Sequence, residues 1–300
     1  MHDPVESPET SVAELIRTHE ASAGAAADTS KGASKVSKRI ALAVGAVLVV
    51  IFGLAGPGAD VYVADFALLA CIGAIGLNLL TGFAGQVSVG SSAFLAVGAF
   101  TYVGVYRFGG LAIAILASAL LCAVVGLLSG LPSLRLQGFY LVLSTLALFY
   151  IADFVVEKIQ FGAGAIGGFV LPEAQFLGWH INSDQQWYFF LLVTVALVLA
   201  GSWNLKRSKF GRAWAGIKEN ELATRVIGVN LTSMKLTAFT FSSALIGIQG
   251  ALTAAFVQNV SYDNFTLDQA VSYVVMILIG GLMLVATWQS RVHDSSHKAD

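Results

Sequence analysis

Leu77-Asn-Leu-Leu-Thr-Gly-Phe-Ala-Gly-Gln-Val-Ser-Val-Gly-Ser-Ser-Ala-Phe-Leu-Ala-Val-Gly-Ala-Phe100 lies between apolar runs long enough to span a bilayer, yet it is crowded with glycine and uncharged polar side chains. In hydrocarbon an unpaired backbone amide costs several kcal/mol, so irregular backbone persists there only where protein or a water-filled cavity covers it. A broken apolar segment carrying Asn78, Gly82, Gly85, Gln86, Ser88, Gly90, Ser91 and Ser92 therefore points to the lining of a translocation path.

Composition agrees with a membrane setting. The 300 residues are 56% hydrophobic and 12% charged, with a mean hydropathy of +0.76. Soluble domains carry about 25% charged residues, so this chain reads as an integral membrane protein. A net charge of −1 and the lack of a basic stripe outside the loops give no sign of nucleic-acid binding. Cys71 and Cys122 each sit inside an apolar run and read as small buried hydrophobes, with no disulfide framework and no metal-ligand spacing.

Residues 1–39 are polar, lack apolar periodicity and read as a cytosolic, disordered extension. Lys35, Lys38 and Arg39 precede an apolar run, but that run exceeds the ~7–15 residues of a signal-peptide core, so a retained first span is expected. Candidate spans are Ile40–Gly56, Val61–Leu80, Val87–Tyr106, Gly110–Gly130, Phe139–Val156, Tyr188–Trp203, Leu236–Gln258 and Ala270–Trp288. The fold class is all-α and polytopic: about eight transmembrane helices, one glycine-rich broken segment, and a membrane domain over 40–288 followed by a polar tail, 289–300.

The Lys/Arg bias of short loops sets the orientation. Lys31, Lys35, Lys38 and Arg39 place the N-terminus in the cytosol, and alternation places Arg135 and the 204–235 loop there as well. Asp60, Gly162–Ile181 and Ser261–Asp268 fall on the opposite side, which is poor in Lys and Arg. Gly126 and Gly130 have the spacing that lets two helices approach closely. Asp65 and Asp153 fall near the outer ends of their spans, and Trp179, Trp187 and Tyr188 read as interfacial anchors.

No residue pattern in the chain supports enzymatic chemistry. Gly90-Ser-Ser-Ala93 resembles an intramembrane serine-protease word, but a base must lie within reach of the hydroxyl. His2, His19, His180, His293 and His297 are all outside the predicted spans. Gly211-Arg-Ala-Trp-Ala-Gly216 begins like a phosphate loop, yet Ile217 stands where a lysine is needed and no strand precedes it. No catalytic residue, cofactor or metal is therefore assigned. Lys206–Asn230 reads as a basic cluster followed by a short amphipathic helix, with Trp214, Ile217 and Leu222 apolar and Lys218, Glu219 and Glu221 polar. Such a helix can lie on the bilayer surface or enter a groove on a cytosolic protein.

Several words occur in order between about residues 58 and 281: Gly76–Gly90, Leu134-Arg-Leu-Gln-Gly-Phe-Tyr140, Ser144-Thr145-Leu146-Ala147, Phe210–Asn230, Lys235-Leu-Thr-Ala-Phe239, Gly250-Ala-Leu252, Ser261–Phe265 and Ile279-Gly-Gly281. Together they resemble the branched-chain amino acid permease family of ABC importers, in its LivM-type form. The resemblance implies a pore subunit of the cytoplasmic membrane that moves leucine, isoleucine and valine. Its implied partners are a sister permease, two cytosolic ATP-binding subunits, an extracytoplasmic substrate-binding protein and the lipid bilayer. Thr145 joins the implied path. The implied ATPase-coupling loop includes Gly211, Arg212, Ile217, Glu219, Glu221, Ala223 and Gly228.

Leu222-Ala-Thr224 followed by Gly228 keeps the spacing of the importers' Glu-Ala-Ala…Gly loop, with leucine in the glutamate's place. Relatives handling urea, amides or other amino acids share these words, whereas a secondary transporter or channel would need no coupling loop. Family members continue beyond the Gly280-Gly281 pair with a second glycine-rich stretch and further spans. Here Leu282–Trp288 leads into the tail, so the last part of the fold is expected to be truncated, the alternative being a short variant that completes its pore with its partner.

Overall fold

The structure is a computed structural model that describes residues 50, 52–54, 57–83, 85, 88, 90–133, 139–176, 179–181 and 183–276. The chain divides into two units, residues 1–57 and 58–300. In the first, residues 50 and 52–54 are helical. The N-terminal extension, the polar tail, most of the first predicted span and the end of the last fall outside the described residues.

In the second unit α1 (Gly58–Asn78) runs into a π-helical turn, Leu79–Phe83. After the broken segment comes α2 (Ser91–Ser133), whose 43 residues would reach about 64 Å if straight, twice the ~30 Å hydrocarbon core. It does not run straight. Gly110 adopts φ 65°, ψ −170°, a conformation that a side chain would strain, and reverses the chain. The two arms lie antiparallel: the Ser118 hydroxyl donates to the Gly98 carbonyl at 2.9 Å, and Cys122 Sγ lies 3.3 Å from the Phe94 carbonyl. The spans predicted at Val87–Tyr106 and Gly110–Gly130 are these arms.

Next come α3 (Phe139–Gly162), two short antiparallel pairings, and α4 (Asp184–Arg207). The first pairing joins β1 (Phe169–Val170) to β4 (Asn259–Val260), and the second joins β2 (Gln175–Phe176) to β3 (Trp179–His180). Beyond α4, α5 (Lys209–Glu219) and α6 (Glu221–Val226) make an elbow that leads into α7 (Leu231–Val257). A 3₁₀ turn, Tyr262–Asn264, precedes α8 over residues 267–276. Five described helices are long and apolar enough to cross a membrane, α2 as a hairpin. This is a multi-pass membrane protein.

The bundle centres on α7 packed against both arms of α2. Lipid supplies no hydrophobic drive for helix pairing, so small residues and close van der Waals contact must hold it. A Cβ on Gly98 would overlap the Gly247 carbonyl, and one on Gly250 would overlap the Leu95 carbonyl. Gly126 and Gly130, predicted as a close-approach pair, face Ser243, Leu236 and Phe239 of α7. Cys122 is fully buried against Gly247 and is a free thiol, as expected of a small hydrophobe.

Trp187 and Tyr188 are buried rather than anchored in an interface, because Trp187 stacks edge-on against Phe190 and Phe256 in the core. Trp203, near the basic end of α4, has the anchor's character instead: its exposed ring lies 5.0 Å from the Arg207 guanidinium.

Candidate functional site

The broken segment begins at the end of the bundle that carries Lys206, Arg207, Lys209, Arg212 and Lys218, the basic end. Asn78 closes α1, and its side chain lies over the Cα of Gly82, where any Cβ would collide. Gly85 is exposed at φ 68°. Gln86 falls outside the described residues.

Farther along, Ser88, Gly90, Ser91 and Ser92 are enclosed. Ser88 Oγ accepts from the Gly90 amide at 3.3 Å, and a Cβ on Gly90 would sit 2.8 Å from the Thr145 carbonyl. Ser91, Ser92 and Thr145 are each at most 2% exposed. Thr145 donates to the Val142 carbonyl of its own helix at 3.0 Å. The structure thus gathers Ser88, Gly90, Ser91, Ser92 and Thr145 in one buried group and leaves Asn78, Gly82 and Gly85 toward the basic end.

A second irregular stretch enters from the opposite end. Gln258, in the left-handed region at φ 58°, terminates α7, and residues 258–266 descend with no helix beyond the 3₁₀ turn at Tyr262–Asn264. Buried Gln160 holds the stretch in place: its Oε1 accepts from the Tyr262 amide at 2.8 Å and its Nε2 donates to Ser261 Oγ at 3.3 Å. Lower down, Leu267 packs on Ala93, Phe149 and Ala152. About 16 Å of α3 separates Gln160 from Phe149 at ~1.5 Å per residue, so the stretch reaches well into the bundle. The Ser92 hydroxyl donates to the Thr266 carbonyl at 2.9 Å, joining the two broken segments. Sequence reasoning missed this junction, whose partners are 174 residues apart.

On the far side of that junction from the basic end is a cleft of about 250 Å³. Phe66, Leu95, Val257 and Phe265 give it apolar walls, and Gln269 and Tyr273 are among its polar groups. None of its lining residues is charged. Gln269 Oε1 is buried without a hydrogen-bond partner, and Tyr273 Oη accepts from Gln249 Nε2 at 2.5 Å. Above the cleft, the Asp263 carboxylate pushes the pKa of the Tyr262 phenol above its ordinary value, with burial, a hydrogen bond to Asp263, and Glu157 and Asp153 contributing. Asp65, placed near a span end by sequence, is fully enclosed, and neither carboxylate oxygen has a partner.

At the basic end the expected single amphipathic helix is two helices. Asn220 (φ −156°, ψ 105°) ends α5 and caps α6, its Oδ1 accepting from the Ala223 amide at 3.0 Å. An asparagine followed by glutamate is the readable signal for such a start. The break separates residues that the sequence grouped together. Gly211 and Ile217 turn inward with Trp214, whose indole donates to the Met234 carbonyl at 2.8 Å. Leu222, Val226 and Ile227 point out at 74%, 88% and 78% exposure. Glu221 pairs with Lys235 at 2.7 Å, and Arg212 donates to the Arg207 carbonyl at 3.0 Å. Glu219 and Ala223 are exposed, as is Gly228, which takes φ 83°.

A family model described as "Branched-chain amino acid transport system / permease component" matches residues 61–289. The chain belongs to this family. Among relatives of this permease family is the high-affinity branched-chain amino acid transport system permease protein LivM of Salmonella typhimurium, 29% identical over 74% of this chain and 59% of its own length. The protein of that name from Escherichia coli is 28% identical over 83% of this chain and 65% of its own. The probable branched-chain amino acid transport permease protein LivM of Methanocaldococcus jannaschii is 27% identical over 58% and 50%. The chain thus spans about three fifths of the length of the first two relatives. No solved structure matches it.

Proposed function

We propose that the chain is a permease subunit of an ABC importer that carries branched-chain amino acids across the cytoplasmic membrane, with its N-terminus in the cytosol. The observation that carries this reading is the elbow. Three large apolar side chains, Leu222, Val226 and Ile227, stand exposed on a helical corner at the basic end, where a soluble partner has more to offer them than water does. A small helix seated in a partner's groove moves as a rigid body. The partners are a sister permease, two cytosolic subunits that hydrolyse ATP, and an extracytoplasmic binding protein. The chain itself has no catalytic role.

The uncharged cleft suits a zwitterion with an aliphatic side chain: apolar walls take the side chain, and amide and hydroxyl groups take the polar end. From there the path continues past Ser92, Ser91, Gly90, Ser88 and Thr145 toward Gln86, Gly85, Gly82 and Asn78. The test is uptake of radiolabelled leucine into vesicles containing the complete complex, with ATP supplied to the hydrolysing subunits. Uptake that requires both ATP and this chain is expected. Uptake that proceeds equally without ATP would replace this reading with a secondary transporter.

A further inference from the structure

We infer that Lys218 is the positioning residue that ties the cytosolic elbow to the broken membrane segment, an inference that rests on the transport reading above. The π-helical turn ends at Phe83 and Gly85 is outside helical geometry at φ 68°, and the last carbonyls of a helix generally lack intrahelical donors. A cation at a helix C-terminus meets both the free carbonyls and the negative end of the dipole. Lys218 Nζ supplies it, donating to the Gly82 carbonyl at 2.7 Å across 136 residues of chain. The aliphatic stem of the same lysine lies beneath Gly85, where a Cβ would sit 3.5 Å from Lys218 Cγ.

A second contact comes from the same face of α5. Trp214 is one helical turn before Lys218, and positions i and i+4 share a face. Its ring is buried in one apolar cluster with Leu79 and Leu80 of the π-helical turn and with Leu141, Ala238 and Phe239. One short helix therefore holds the turn by a charge-assisted hydrogen bond and by a buried aromatic. Two residues beyond Lys218, Asn220 starts α6 and its exposed apolar face. A displacement of α6 by a partner passes through α5 to the turn, and from the turn to the chain that ends at the Ser92–Thr266 junction. A lysine that only dressed the surface would give the turn some stability but would carry none of that motion.

The test uses the complete complex in vesicles and reads leucine taken up per ATP hydrolysed. Lys218→Met is expected to hydrolyse ATP while uptake per ATP falls roughly tenfold, within the usual range of coupling between linked sites. Lys218→Arg, which keeps a cationic donor, is expected to restore uptake. A third variant replaces the bond with a covalent one. A Cβ on Gly85 would lie 3.9 Å from Lys218 Cβ, within the roughly 3.5–4.5 Å that a disulfide requires. Gly85→Cys with Lys218→Cys should then be uncoupled when reduced and recoupled when oxidised. Unchanged uptake per ATP in Lys218→Met overturns the link alone, as does a cysteine pair that fails to cross-link or gains nothing on oxidation. Absence of ATP-driven uptake by the unmodified complex fails the transport reading, and the link falls with it.

Discussion

Gly247 has one side of its backbone against Cys122 and the Ser118 carbonyl while its own carbonyl lies against Gly98. No side chain can move aside to relieve a collision with backbone. Gly247→Val is therefore expected to destabilise the bundle by about 3 kcal/mol, the upper part of the overpacking range. Gly201→Val is the control, since nothing lies within 4 Å of a Cβ there. Thermal unfolding in detergent checks the pair, and equal midpoints would mean that the α2–α7 approach is looser than described. Asp65 poses the reverse problem. An enclosed carboxylate without a partner opposes folding whenever it is charged, and an amide of the same shape removes that cost. Asp65→Asn should thus melt no lower than the parent chain; a clear drop would show that the carboxylate has a partner.

The α5–α6 elbow shows how local chemistry divides one amphipathic pattern into two surfaces. Asn220 breaks the helix, and from there on the apolar residues face outward. Leu222→Glu with Val226→Glu should leave the fold intact, because both positions are already exposed, yet abolish co-purification of the ATP-hydrolysing subunit. Full recovery of that subunit would count against the elbow as its docking site. Asn220→Ala removes the cap of α6, worth about 1 kcal/mol, and should weaken the same co-purification by a smaller factor.

Much of this architecture is legible in sequence because spans are local: a run of about 20 apolar residues needs no knowledge of its neighbours. The reversal at Gly110 and the close approach at Gly126 and Gly130 were readable for the same reason. The Lys218–Gly82 and Ser92–Thr266 bonds were not, since no window along the chain contains both partners. Trp187 was misplaced because composition marks an aromatic as interfacial without saying which face of the helix it occupies.

At the scale of the whole molecule, two irregular segments enter from opposite ends and meet at one hydrogen bond. Polar backbone at this depth has to be covered by protein or by a water-filled cavity; Ser92 is enclosed at the junction, whereas Thr266 is exposed. If substrate passes between them, the junction must open during turnover and stay closed at rest. The prediction is one of accessibility. In a background with Cys71→Ala and Cys122→Ser, Thr253→Cys on the cleft wall should react with a water-soluble thiol reagent added from the cleft side at rest. Ser92→Cys, fully enclosed beneath it, should not react at rest from either side. During ATP turnover with leucine present, Ser92→Cys should become reactive. Labelling followed by mass spectrometry reads all three states. If Ser92→Cys stays protected through turnover, substrate does not pass this junction, and the path must run elsewhere, between this chain and its sister permease.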